Sequence, residues 1–255
     1  MKRSTTYAVV VVLAVLSLGS GASAQRGRGA PPGPPPTPRE AAPIDPTGNW
    51  VSVVTEDWRW RMVTPRKGDY SSVPLNEEGR QVADTWEAAD MASDGCKPYG
   101  AAGIMRVPGR LQVSWENDTT LRIDTDAGLQ TRRLHFEPAR RPQGRSWQGH
   151  SVAEWERLVN GGGLGVSLLT APPRLGSLKV VTTSLRAGYL RRNGVPYSED
   201  ATVTEYFDRV ADEGTDWLTV LTIVEDPRYL SQPFITSSHF TREPDASKWM
   251  PAPCE

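Results

Sequence analysis

The residues best suited to chemistry lie on a few alternating segments. In Thr202–Arg209, Val203, Glu205 and Phe207 share one face of an extended chain, and Thr202, Thr204, Tyr206 and Asp208 share the other. With Val203 and Phe207 turned inward, Glu205 enters an apolar interior. A buried carboxylate is costly unless it is paired or its pKa rises. Glu205 is therefore a candidate general acid or base, or an anchor for a polar ligand group. The competing reading is an ion pair with an arginine such as Arg59 or Arg61. The segment Trp58-Arg59-Trp60-Arg61 alternates aromatic and guanidinium side chains. As a strand it puts Trp58 and Trp60 on one face with Met62, and two guanidiniums on the other. Paired guanidiniums bind carboxylate or phosphate bidentately, although an ordinary solvent-facing strand shows the same alternation. These four residues, with Glu154, form the expected ligand-binding set.

The three histidines, His135, His150 and His239, fall on separate segments without metal-ligand spacing, so no metal site is expected. His150 follows Gly149 and precedes Glu154-Trp155-Glu156, which makes it the best acid–base candidate of the three. Glu205, His150 and Tyr197 are the expected catalytic set. A glycosidase-like pair of Glu154 or Glu156 with Glu205 or Asp226 is conceivable, but acids are too plentiful here to single one out. Asp226 precedes Pro227 and reads equally as a turn former. No G-x-S-x-G, P-loop or dinucleotide fingerprint occurs, and no cofactor is expected. Gly161-Gly162-Gly163 lacks a following lysine and reads as a flexible loop.

The elements that must position these residues are mostly short strands. Ten are expected: Asn49–Thr55, Asp57–Val63, Leu111–Glu116, Thr120–Thr125, Leu129–Phe136, Ser151–Glu156, Ser177–Thr183, Thr202–Arg209, Trp217–Val224 and Phe234–Arg242. Asn117-Asp118, Ala127-Gly128, Asn193-Gly194 and Glu213-Gly214 punctuate them as turns. One helix is expected over 76–90, capped by Asn76, with Glu77 and Glu78 in its first turn and Val82, Trp86 and Ala89 on one stripe. The fold class is mainly β: an antiparallel meander closing as a barrel, with a β-sandwich as the alternative. A flexible Gly/Pro insertion is expected at about 158–176.

The chain has 255 residues, with 29 basic and 30 acidic side chains. Lys2 and Arg3, the apolar run Tyr7–Leu18 and Ala22-Ser23-Ala24 make residues 1–24 an expected signal peptide. The run is too short to span a bilayer, so no stable membrane insertion is expected after cleavage, and the mature protein should be periplasmic or secreted. Residues 25–43 are rich in proline and read as a disordered linker. The remaining single domain, 44–255, carries 24 basic and 29 acidic residues, a net −5. That balance argues against a nucleic-acid partner. Cys96 and Cys254 are the only cysteines, and in an oxidising compartment they are an expected disulfide. A loop this long corresponds to about 4–5 kcal/mol of chain entropy.

Gly48-Asn49-Trp50, entering the first strand, resembles the G-x-W opening of lipocalin-like barrels. The resemblance implies a tryptophan plugging one barrel end under an arginine near the last strand, here Arg242. A second resemblance is broader. Cys96-Lys-Pro-Tyr-Gly100, Met105-Arg-Val-Pro108, Trp147-Gln-Gly149, Ser151-Val-Ala-Glu-Trp-Glu156, Asn193-Gly-Val-Pro196, Thr204-Glu-Tyr-Phe207, Thr222-Ile-Val-Glu-Asp-Pro227 and Cys254-Glu255 are similar to an uncharacterised family of secreted bacterial β-rich proteins. The match departs at Tyr197, where that pattern expects His, and in the Gly-rich insertion. It implies an exported barrel-like domain and supplies no catalytic residues. The function that follows is binding of a small, partly apolar molecule in a barrel cavity. The alternatives are a cofactor-independent hydrolase, lyase or isomerase using a buried carboxylate, and an extracytoplasmic interaction module. Sequence leaves the oligomeric state open.

Overall fold

A computed structural model describes residues 33–89, 95–137, 143–157 and 176–254. The expected signal peptide lies outside the described residues, as does the expected insertion apart from Gly176.

The strands, in chain order, are β1 (Gly48–Val53), β2 (Arg110–Asn117), β3 (Thr120–Thr125), β4 (Gln130–His135), β5 (His150–Arg157), β6 (Gly176–Thr183), β7 (Gly188–Arg191), β8 (Val195–Tyr197), β9 (Thr202–Asp212), β10 (Thr215–Glu225) and β11 (Phe234–Glu243). Nine of them close a barrel in the order β1-β11-β10-β9-β6-β5-β4-β3-β2. β1 pairs with both β2 and β11, so no edge remains and the sandwich alternative falls. β7 and β8 form a separate hairpin around Asn193-Gly194.

The barrel is mixed, not the purely antiparallel meander expected. β4 and β5 run parallel, pairing Leu134 with Ser151 and His135 with Val152. The cause is the connection. Tight turns reverse the chain at Asn117-Asp118 and Ala127-Gly128, whereas β4 and β5 are separated by a stretch of sequence long enough for a parallel connection. Up-and-down lipocalin barrels have eight strands, so nine strands with a parallel seam are not specifically that fold. The Trp50–Arg242 contact is nevertheless present. Trp50 is fully buried, donates from Nε1 to Pro46 O at 2.9 Å, and lies 5.6 Å from the Arg242 guanidinium carbon.

Trp58–Arg61 is a helical turn, α1, and not a strand. Asp57 takes a left-handed φ of 54°, and its carbonyl accepts from Trp60 N and Arg61 N. The extended chain stops there, because Asp tolerates that backbone and the local bonds replace a ladder. The second helix, α2 (Glu77–Asp84), starts at the expected cap: Asn76 Oδ1 accepts from Gly79 N at 2.8 Å. It ends at Thr85, whose hydroxyl donates to Val82 O, so Ala89 lies beyond it and is exposed. Gly79 is required by packing, since a Cβ there would meet Tyr229 O at 2.5 Å.

Two apolar clusters result. One fills the barrel with Trp50, Leu121, Ile123, Leu178, Phe207 and Phe240 among others. The second joins Ala83 of α2, Leu190, Val195 and Tyr197 of the hairpin, and Val203, Val224 and Phe234 of the barrel. Cys96 and Cys254 are disulfide-bonded. The bond ties the short 3-10 segment Lys97–Tyr99 to the end of the chain. Residues 37–43, expected as the end of the linker, pack instead against the barrel. Trp155 Nε1 donates to Pro38 O at 2.7 Å, and Arg157 Nη2 to Ala41 O at 2.9 Å.

Candidate functional site

Glu205 faces inward, as alternation requires, and is fully buried. Its partner is Arg132 of β4, not Arg59 or Arg61. Arg132 Nη1 and Nη2 donate to the carboxylate at 3.0 and 2.5 Å. Nη2 also reaches Thr182 Oγ1 at 3.4 Å, and Thr182 shares a 2.8 Å hydrogen bond with Ser151. Arg132 is 1% exposed. The signal for it was present: Arg132 and Leu134 share a face of β4, and both are buried.

His150 lies at the β4–β5 seam, its ring stacked on His135 with centroids 5.7 Å apart. Both line a surface cavity of about 300 Å³ with Thr131, Arg133 and Ser146. Burial, and then the neighbouring His150, holds the His135 imidazole below its ordinary value. Tyr197 is buried in the second apolar cluster, its hydroxyl without a hydrogen-bond partner. That burial pushes its pKa up. Gly100 and Gly188 make room for it, because a Cβ at either would collide with the hydroxyl. Among the described residues, no hydrogen bond joins any two of Glu205, His150 and Tyr197.

Glu154 is exposed and, with Glu156, pairs with Lys179 on the barrel exterior. Asp226 accepts from Ser198 N and Oγ and from Arg228 N, which is a turn-forming role. His239 bonds Glu56. Trp58 is exposed. Arg59 bonds Asp69 at 2.8 Å and lies over the Trp60 ring.

Trp60 and Arg61, by contrast, belong to a cluster that sequence reasoning did not assemble. Three elements build it: α1, the 3-10 turn Ile104–Arg106, and β7. Arg61 Nε donates to Arg106 O at 3.0 Å and Nη1 to Val53 O at 2.7 Å. These bonds fasten α1 to the end of β1. Arg61 Nη2 is buried without a partner. Arg191 lies 5.1 Å from the Trp60 ring centroid, and its Nε and Nη1 are also buried without partners, as is Trp60 Nε1. Arg106 Nη1 pairs with Asp57 at 3.2 Å. Arg61, Arg106 and Arg191 are 6%, 8% and 5% exposed.

Crowding of like charge out of water acts on these groups. Burial, and then the Arg106 charge, holds Arg61 below its ordinary value and brings Arg191 down to about 10. The crevice they line, of about 30 Å³, is bounded by Trp60, Arg61, Arg106, Leu190, Arg191 and Arg192 among others, and no carboxylate lines it. A second cavity of about 280 Å³ shares Trp60, Arg106 and Arg191 as a wall and adds Phe234, Ile235 and the carboxylates Glu56 and Asp57. A buried charge without a counter-charge costs several kcal/mol. An anion placed here offsets that cost and satisfies orphaned donors.

Arg106 and Arg191 were missed because nothing in their spacing connects them. Each sits in an irregular or short segment without the periodicity that assigns a face. Both adjoin pieces singled out for the resemblance, Met105-Arg106-Val107-Pro108 and Asn193-Gly194-Val195-Pro196. Among the described residues, no group of three or more His, Cys, Asp or Glu side chains could hold a metal ion. No family model, curated protein or solved structure matches this chain.

Proposed function

We propose that this chain is an exported barrel protein that binds a small anionic, partly apolar molecule in the arginine cleft formed by α1, the Ile104–Arg106 turn and β7. The observation that carries this reading is the imbalance of charge. Of three buried guanidiniums, Arg106 pairs with Asp57, while Glu56 and Asp69 act on Arg61 and Arg191 only from farther away. Donors on Arg61, Arg191 and Trp60 have no partner. A purely structural cluster pairs its charges, and this one does not.

The expected binding place moves from the barrel lumen to its flank. The lumen side chains Trp50, Leu121, Ile123, Leu178 and Leu218 are all fully buried, as are the side chains of the Arg132–Glu205 pair. The catalytic alternative loses ground for the same reason, since Glu205 has both oxygens engaged by Arg132.

The test is thermal unfolding of the mature protein with and without benzoate or inorganic phosphate. An anion that binds only the folded state raises the midpoint. The wild type should show a saturable rise with at least one of the two, and Arg191→Met should show none. An equal rise in both proteins overturns the proposal. Export is tested by N-terminal sequencing of the secreted protein, which should begin at Gln25.

A further inference from the structure

We infer, resting on the anion-binding reading above, that the ligand is a phosphate monoester whose dianionic head occupies the arginine crevice and whose body occupies the adjoining cavity.

Charge comes first. Of the carboxylates near the cluster, Asp57 is paired with Arg106, Asp69 with Arg59 and Ser71, and Glu56 with His239. Among Arg61, Arg106 and Arg191, Asp57 pairs directly with Arg106, and the charges of Glu56 and Asp69 act on Arg61 and Arg191 from farther away. No carboxylate lines the crevice itself, so a phosphoryl dianion answers its guanidiniums with more charge than a monocarboxylate does.

Donor geometry agrees. The unpartnered donors belong to three side chains on two elements, Trp60 and Arg61 of α1 and Arg191 of β7. Lining one crevice from separate elements, these three side chains suit the three oxygens of a tetrahedral group better than the two coplanar oxygens of a carboxylate.

Size divides the ligand. The crevice of about 30 Å³ takes one oxyanion group and not a whole metabolite. The neighbouring cavity of about 280 Å³ shares Trp60, Arg106 and Arg191 with it and brings in Phe234, the exposed Ile235 and the carboxylates Glu56 and Asp57. The Trp60 and Phe234 rings there suit an organic body attached to the head, and the two carboxylates disfavour a second anionic group on that body.

The experiment is isothermal titration of the wild-type mature protein with three probes: phenyl phosphate, inorganic phosphate and benzoate. Phenyl phosphate should bind tightest, by about tenfold over benzoate, the worth of one further charge-assisted hydrogen bond. It should also exceed inorganic phosphate, which has the head without the body. Benzoate equal to or tighter than phenyl phosphate overturns the dianion assignment and leaves anion binding standing. Inorganic phosphate equal to phenyl phosphate overturns the assignment of the body to the second cavity and makes the site one for free phosphate. Binding of none of the three overturns the underlying reading.

Discussion

The barrel interior and the cleft beside it both bury arginine, and they treat it in opposite ways. Inside, one guanidinium meets one carboxylate: Arg132 and Glu205 have fully buried side chains and bond through both oxygens. In the cleft, Arg61, Arg106 and Arg191 are nearly as buried, yet only Arg106 pairs with a carboxylate, and Arg61 and Arg191 keep donors unmatched. A pair whose charges cancel needs no outside counter-ion and holds strands together, although Arg132 Nε, too, is buried without a partner. A cluster that does not satisfy itself carries a folding cost, which on the proposed reading a bound anion offsets. α1 is fastened through Arg61 to the Ile104–Arg106 turn and to the end of β1, a strand of the closed barrel.

The sharpest way to break this comparison is to remove one half of the interior pair. Glu205→Gln leaves the Arg132 charge buried and unpaired, and should cost about 3–5 kcal/mol in urea unfolding. Replacing both partners, as Arg132→Met with Glu205→Leu, should return most of that loss, because two apolar side chains need no partner. A harmless Glu205→Gln would mean that the interior pair is not self-contained.

The cleft should answer with the opposite sign. Arg191→Met removes an unpaired buried charge while keeping much of the apolar stem, at the loss of the guanidinium contact over the Trp60 ring. Stability measured the same way, without added anion, should stay within about 1 kcal/mol of wild type or rise. A loss as large as that of Glu205→Gln would place Arg191 among the structural arginines.

The smallest effect concerns the β4–β5 seam, between the two regimes. His135 is held below its ordinary value of 6.5 by burial, by His150 and by Arg133, against the pull of Glu116. The unfolded chain therefore takes up this proton at a higher pH than the folded one. Stability from this group is full above about 6.5 and declines as pH falls through the window beneath it. His135→Gln should flatten that part of the stability–pH curve. An unchanged slope would show that the stacked ring contributes nothing to it.

Much of the barrel was legible before any coordinates. Period-two burial in β9, β10 and β11 matches the alternation of their residues. The same rule turned Glu205 inward. It misled at Trp58-Arg59-Trp60-Arg61, because four alternating residues are too few to separate a strand from a helical turn. The left-handed Asp57 and its carbonyl decided the matter locally. The β7–β8 hairpin was marked only by its turn, Asn193-Gly194, since two such short strands carry almost no pattern. In the site, Trp60 and Arg61 were visible as a charged aromatic segment, while Arg106 and Arg191 were not.

Sequence alone therefore determined what depends on neighbours along the chain: strand positions, turn pairs, the Asn76 cap and the inward face of Glu205. Only the tertiary structure decided which strands meet, that one seam runs parallel, and that Glu205 answers to Arg132 while Arg61 joins Arg106 and Arg191. The physical reason is range. Alternation and capping act over a few residues, whereas charge partners are chosen by the register of segments tens of residues apart, and no local pattern records that choice.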